Sequence, residues 1–109
     1  MSNLAYHIIP GQIPKLMPFV SKTIDDVLTL IGAASLDSLE IIPIASGIIA
    51  WCKEDAAQNP SNIAFKLNED NSIVFGKVIF TGDLLENGDV VGLSGPQVHS
   101  VMNYIQLPT

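Results

Sequence analysis

Residues 75–83, FGKVIFTGD, decide the fold, together with residues 89–94, DVVGLS, which follow after one short loop. Two glycines six residues apart, Gly76 and Gly82, interrupt and end the apolar run. Glycine within a strand pattern is typical of a bulge or of a close approach between two backbones. We therefore predict a long strand over residues 73–81 with a bulge at Gly76, and a short strand over residues 90–93.

The loop between these strands, residues 83–89, is acidic and contains the dipeptide Asn87-Gly88. Asn-Gly is typical of a turn that needs positive φ. A calcium site is the alternative, because calcium loops also place acidic side chains around a tight turn. Leu84 and Leu85 stand where such a site needs oxygen ligands, so a solvated turn explains the acids better.

The N-terminal part of the chain predicts a strand and an extended segment. Residues 4–9 are rich in β-branched and aromatic side chains and end at Pro10-Gly11, a turn signal. Pro10, Pro14 and Pro18 recur every four residues. Proline inside a helix removes a hydrogen-bond donor and clashes with the preceding turn, so this spacing cannot be helical. It indicates an extended segment at the edge of a sheet.

Two amphipathic helices are predicted. The first begins at the N-cap Thr23, with Asp26 at its third position, carries one apolar stripe to Ile31 and stops at Gly32. Ser94 is the predicted N-cap of the second. Its apolar stripe follows the same spacing and consists of Val98, Val101, Met102 and Ile105.

Three further strands are predicted between the helices. Residues 39–44 and 48–52 flank a short turn, and neither alternates cleanly, because both Ile41-Ile42 and Ile48-Ile49 point to opposite faces. Both faces of these strands should therefore be covered, as in a central strand or a dimer sheet. Residues 63–67 alternate as a half-buried strand does. The chain thus predicts one α+β domain, residues 1–109, in which a mixed or antiparallel sheet packs with two amphipathic helices.

The composition is apolar for a domain of this size, with 48% hydrophobic and 15% charged residues. Such a balance favours a protein that associates with itself or with a partner. A compact two-layer domain with ordinary apolar surface is an equal alternative. The N-terminus lacks a signal sequence, and the longest apolar run, residues 41–52, is too short to span a bilayer. We therefore expect no membrane contact and a cytoplasmic location.

The net charge is −6, and all five basic side chains are lysines. Arginine is the usual reader of phosphates and guanine edges, so its absence from an acidic chain argues against nucleic-acid binding. A DNA mimic is the acidic alternative. It needs carboxylates laid out densely along one surface, whereas the acids here lie mostly in turns.

Cys52 with His7 or His99 is the only possible thiol–imidazole pair. A nucleophilic cysteine needs a lowered pKa and solvent access, whereas Cys52 ends an apolar strand pattern, which favours a buried structural thiol. Each histidine is expected to be a satisfied surface or boundary residue. Two histidines and one cysteine also give no zinc-like cluster. We therefore expect no metal, no cofactor and no enzymatic activity.

Trp51 is the only tryptophan and has two interpretations. Tryptophan packs in cores, which is the favoured interpretation, and it is also over-represented among binding hot spots. The candidate binding surface combines Trp51 with its neighbours Ile48 and Ile49 and with the prolines of the edge segment, Pro14 and Pro18.

Six segments of the chain carry a resemblance in order and spacing, and they are residues 23–32, 39–43, 47–52, 60–62, 74–82 and 92–94. Through these segments, residues 23–101 resemble a family of small domains of unknown function found in phages, plasmids and the bacteria that carry them. Residues 1–22 would then be an N-terminal strand and proline-rich edge segment, and residues 23–109 the family-like core. The family offers no catalytic residues to carry over. Its acidic, glycine-containing segment is replaced here by a longer loop, residues 53–59, which puts loop-based functions in doubt.

The leading hypothesis is a non-enzymatic accessory protein of a virus or mobile element that binds a host protein and associates with itself. It would act in the host cytoplasm. The alternative is a protein that sequesters a small, nucleotide-like ligand between protomers. Without arginine, such a ligand's phosphates would be met by backbone amides and by Lys53, Lys66 and Lys77.

Overall fold

The computed structural model describes residues 3–19, 22–45 and 47–108. Single 3-10 turns at Leu36–Ser38 and Pro60–Asn62 precede two of the strands. The helices and strands are β1 (Leu4–Ile8), β2 (Lys15–Pro18), β3 (Lys22–Thr23), α1 (Ile24–Ile31), β4 (Leu39–Ala45), β5 (Ile48–Lys53), β6 (Ile63–Leu67), β7 (Ile73–Phe75), β8 (Val78–Thr81), β9 (Asp89–Val90), α2 (Gly95–Tyr104) and β10 (Ile105–Gln106).

The predicted α+β fold is confirmed, and its sheets are antiparallel. Five strands form the main sheet in the order β2-β1-β8-β5-β4. A second sheet has the order β10-β6-β7, and β3 pairs with β9 in a two-stranded ribbon. Because β1 lies between β2 and β8, the N-terminal strand is an interior strand of the main sheet.

Both faces of the main sheet are covered, as the paired isoleucines of β5 predict. Ile48, Ala50 and Cys52 face a cluster that contains α2 and the β10-β6-β7 sheet. Ile49 and Trp51 face the opposite cluster, which contains α1 and Val90 of β9. The main sheet is therefore the middle layer of three.

The two predicted helices are confirmed, together with their caps. The Thr23 hydroxyl accepts from the backbone N–H of Asp26, and the Asp26 carboxylate accepts from the backbone N–H of Thr23 at 3.0 Å. Ser94 and Gln97 form the equivalent capping box on α2. Gly32 ends α1 in the left-handed conformation, with φ of 79°. These reciprocal bonds satisfy N–H groups that a helix N-terminus otherwise leaves free.

The single long strand predicted over residues 73–81 is wrong. The chain breaks at Gly76, so that β7 belongs to the three-stranded sheet and β8 to the main sheet. Gly76 has φ of 84°, and a Cβ there would lie 2.8 Å from the Cβ of Ala56. The glycine therefore marks the crossing between two sheets, where a close approach is needed, and the prediction of a bulge is wrong.

The structure also differs from the sequence predictions at the edge of the main sheet and in the bounds of one short strand. β4 is an edge strand of the main sheet, so only β5 of the 39–52 pair is central. Of the predicted strand over residues 90–93, only Val90 lies in a strand, while Leu93 pairs with Leu4 in an isolated bridge. The extended edge segment is confirmed as β2. No helix in the described part of the chain is long and apolar enough to cross a membrane.

Candidate functional site

Trp51 lies in the core, as its packing interpretation predicts. Its side chain is 0% exposed, and its indole N–H donates to the Thr81 hydroxyl at 2.7 Å. The Thr81 hydroxyl in turn donates to the backbone carbonyl of Gly82 at 3.0 Å. A fully enclosed side chain cannot contact a partner, so the prediction of Trp51 as a binding residue is wrong.

The other predicted binding residues do not lie on one surface. Ile48 is buried on the α2 side of the main sheet, whereas Ile49 is half-buried on the α1 side. Pro18 is exposed at the edge strand β2. Pro14 is half-buried and lines a cavity of about 350 Å3. Of the five predicted binding residues, only Pro14 therefore lines this open cavity.

Three adjoining cavities surround Leu107, and together they form what we call the Leu107 surface. The first, of about 350 Å3, lies between the turn at residues 9–14 and the C-terminal residues Leu107 and Pro108. The second, also of about 350 Å3, lies between Tyr6 and Met102. The third, of about 220 Å3, lies over Lys66 and Ile73. Because Leu107 lines all three, the surface is continuous.

The Leu107 surface is apolar and free of acidic side chains. Ile13 stands at the rim of the first cavity with 85% of its side chain exposed, and Met102 is 52% exposed. Of the described residues that line the three cavities, none is Asp or Glu, and the only charged one is Lys66.

The sequence predicted little of this surface because its parts are far apart along the chain. Met102 was placed in the buried stripe of α2, and that prediction is wrong, since Val98, Val101 and Ile105 complete the stripe without it. The apolar spacing of α2 is compatible with a buried or an exposed Met102, because Met102 lies at the border of the stripe. Residues 106–108 lie outside every predicted helix and strand.

Cys52 and His7 lie on opposite faces of the main sheet, which separates one of the two possible thiol–imidazole pairs. His99, the other possible partner, is exposed on α2, whereas Cys52 is buried. Cys52 faces the cluster of α2, whereas His7 alternates with Tyr6 and Ile8 and so shares the face of Ala5. Burial, and after it the negative charge of Glu40, raise the pKa of the Cys52 thiol from 9.0 to about 11. The thiol is therefore neutral near pH 7, as a structural cysteine is.

His7 is the exception among the predicted boundary residues. Its Nε2 atom is buried and has no hydrogen-bond partner within the described residues, so the expectation of a satisfied histidine is wrong. Burial lowers the pKa of His7, and the positive charges of Lys77 and Lys15 lower it further. The folded protein therefore favours neutral His7.

Stability is accordingly expected to fall as the pH drops below about 6.5, the value at which an unfolded histidine titrates. There the unfolded chain binds a proton that the folded chain resists, so acid favours unfolding. Urea unfolding at neutral and mildly acidic pH measures the loss, and a His7→Leu variant should lose less stability over the same range. An equal loss in both proteins would show that His7 does not carry the effect.

The described residues assemble no cluster of metal-ligating side chains. Within residues 3–19, 22–45 and 47–108, no three His, Cys, Asp or Glu side chains come together to hold an ion. In the loop at residues 83–89, the positive φ predicted for the Asn87-Gly88 turn is found at Gly88, with φ of 90°, and not at Asn87. Neither of the cavities beside Lys53 and Lys66 is lined by a second lysine.

Comparison of the chain with protein-family models, with curated proteins and with solved structures finds no match in any of the three.

Proposed function

We propose that the protein is a non-enzymatic accessory protein of a virus or mobile element that acts by binding a host protein and by associating with itself. The observation that carries the proposal is the acid-free Leu107 surface on a chain of net charge −6. Exposed apolar patches of this kind mark protein-binding sites. The resemblance of residues 23–101 to a phage and plasmid family supports the mobile element and the host cytoplasm.

The separation of Cys52 from His7 is consistent with a binding role, because one of the two thiol–imidazole pairs that the sequence allowed is not assembled. The exposed apolar side chains of the Leu107 surface are also consistent with a binding role. Protein contacts take most of their binding energy from a few central side chains in apolar pockets. Leu107, Met102 and Ile13 provide such side chains beside the cavities.

Capture of proteins from a bacterial host lysate tests the proposal. We expect the wild-type protein to retain a defined host protein and the Leu107→Asp variant to lose it, because a carboxylate would have to be buried in an apolar contact. Leu85→Asp is the matched control. Leu85 is 43% exposed against 38% for Leu107 and lies outside the surface. Equal capture by both variants, or no capture by the wild type, would contradict a host contact at this surface.

The small-ligand alternative is favoured by one observation, the first cavity, whose volume of about 350 Å3 is within the range of ligand pockets. Its lining side chains are apolar except for Gln12, and none of them is charged, so it offers no cationic side chain to a phosphate. A thermal-shift screen separates the two functions. A rise of the melting temperature with a nucleotide would favour the alternative.

A further inference from the structure

We infer that His7 is an acid switch for the edge strand β2, so that protonation of its imidazole releases β2 from β1 while the rest of the main sheet stays paired. The inference goes beyond the proposed function and does not depend on it. It concerns the opening of one strand, and it therefore differs from the loss of global stability that is expected at acidic pH.

His7 lies where an added positive charge is poorly accommodated. It belongs to β1, between β2 and β8, and it shares the face of Ala5, on which α1 packs. Its Nε2 atom is buried and has no hydrogen-bond partner among the described residues. A protonated imidazole carries a hydrogen on each nitrogen, so Nε2 would then be a buried donor without an acceptor.

The basic side chains around His7 oppose its protonation further. Lys15 of β2 stands directly opposite His7 in the register of the two strands, and Lys77 directly precedes β8. Like charges directly opposite each other on two antiparallel strands are destabilising. After burial, the positive charges of Lys77 and Lys15 also lower the pKa of His7.

The carboxylates of the other elements on this face make different contacts. Asp26 of α1 accepts a hydrogen bond from Thr23, and Asp89 of β9 accepts one from Asn87. Asp25 is exposed in the first turn of α1. None of these three carboxylates is a partner of His7 Nε2. A proton on His7 therefore lies beside two lysines and is bonded to no described carboxylate through Nε2.

β2 is the part of the main sheet that can yield to this charge. It pairs with β1 alone, and Met17 is its only residue that is not exposed. β8, the other neighbour of β1, is buried along its whole length and also pairs with β5. Segments with few buried contacts open at a lower free energy than the core. Release of β2 takes Lys15 away from His7 and leaves β1 as an edge strand that water can reach.

The release begins at the end of β2 that carries Lys15. The other end is held by Phe19, which is fully buried and whose N–H donates to the backbone oxygen of Asn3 at 2.7 Å. The turn at residues 9–14 leads into Lys15 and lines the first cavity of the Leu107 surface, so acid also loosens one wall of that cavity. Any effect on a bound host protein rests on the proposed function, whereas the release of β2 does not.

Amide hydrogen exchange of the purified protein, resolved by NMR, tests the inference. Residues opposite each other on antiparallel strands alternate between bonded and non-bonded pairs. The bond from Phe19 to Asn3 therefore places Met17 and Lys15 at bonded positions, with their N–H groups directed to β1. We expect the protection factors of both amides, which correct for the intrinsic effect of pH, to fall severalfold from neutral to mildly acidic pH. Unchanged protection would overturn the inference.

Low concentrations of urea distinguish release of β2 from unfolding of the whole chain. The urea dependence of exchange scales with the surface exposed by the opening. At acidic pH, exchange of Met17 should therefore depend weakly on urea, whereas exchange of Trp51 in the interior strand β5 should depend on it steeply. An equally steep dependence at both amides would show that β2 opens only with the rest of the fold, and would overturn the inference.

Replacement of each histidine identifies the group that titrates. His7→Leu should make the protection of Met17 independent of pH in this range, because the titrating imidazole is gone. His99→Leu is the matched control, since it removes the exposed histidine of α2 and should leave the acid effect unchanged. Persistence of the acid effect in His7→Leu would overturn the role of His7.

A charge reversal opposite His7 tests the repulsion while His7 itself is kept. Lys15→Glu places a carboxylate opposite the imidazole and should shrink or reverse the acid effect, because opposite charges on paired strands attract. Lys15 is exposed, so the variant should fold, which far-UV circular dichroism verifies. Lys66→Glu makes the same change in the second sheet and should leave the acid effect unchanged. An undiminished acid effect in Lys15→Glu would overturn repulsion as its cause.

Discussion

Replacement of Trp51 by alanine should lower the free energy of unfolding by about 3–5 kcal/mol, the usual cost of removing a large aromatic side chain from a core. The indole is fully enclosed between the main sheet and the α1 side, where Ile79, Val27 and Ile31 belong to the same cluster. Its removal leaves a cavity and deprives the Thr81 hydroxyl of its donor. Because Trp51 is the only tryptophan, unfolding in urea is best followed by far-UV circular dichroism.

Thr81→Val separates the hydrogen bond from the packing of the indole. Valine keeps the shape of threonine, but leaves the Trp51 N–H without its acceptor in a buried site. An unsatisfied buried donor costs about 1–3 kcal/mol, so this variant should be less damaging than Trp51→Ala. A Trp51→Ala protein as stable as the wild type would contradict the burial of the side chain.

Trp51 is a poor probe of binding, because its side chain is fully buried. A Trp51→Ala protein that loses a partner or its oligomeric state is expected to be destabilised as a whole, so the loss would not locate a contact. Ile13 and Met102 are better probes, because their side chains are largely exposed and contribute little to the core. The candidate binding surface thus lies at the β1–β2 turn and the C-terminus, away from Trp51.

The helix caps and the two faces of β5 depend on residues close together in the sequence, and they could be predicted from it. The N-caps Thr23 and Ser94 each need one partner three residues later, and both partners are present. The two faces of β5 follow from strand geometry alone, since adjacent side chains alternate. These features depend on the next few residues along the chain, which is the range over which sequence patterns are informative.

Features decided by distant segments could not be predicted in the same way. An apolar run over residues 73–81 does not reveal that its two halves belong to different sheets, because alternation is the same in both. The Leu107 surface combines a turn at residues 9–14 with Met102 and Leu107, which only the pairing of β1 and β10 with their neighbours brings together. Pro14, a predicted binding residue, lines the first cavity of this surface, and its role in binding stays a prediction.

Gly82→Ala should lower the free energy of unfolding by about 2–4 kcal/mol, from roughly 1–3 for displaced packed groups and about 1 for a weakened hydrogen bond. A Cβ at Gly82 would lie 2.5 Å from the backbone oxygen of Gly92 and 2.8 Å from a methyl carbon of Val91. Backbone cannot yield as a flexible side chain does, so the two segments would have to separate. Their hydrogen bond from Gly82 N–H to the Val91 carbonyl, at 2.9 Å, would weaken.

Gly95→Ala is the matched control for this prediction. Gly95 opens α2, and a Cβ there meets no other atom within 4 Å. Alanine reduces the freedom of the unfolded chain and suits a helix, so this variant should be stabilised by up to about 1 kcal/mol. Urea unfolding of both variants should therefore give changes of opposite sign. If both alanines are tolerated equally, then the approach of residues 91–92 to Gly82 is looser than the distances indicate, and the glycine at the end of β8 is not required by packing.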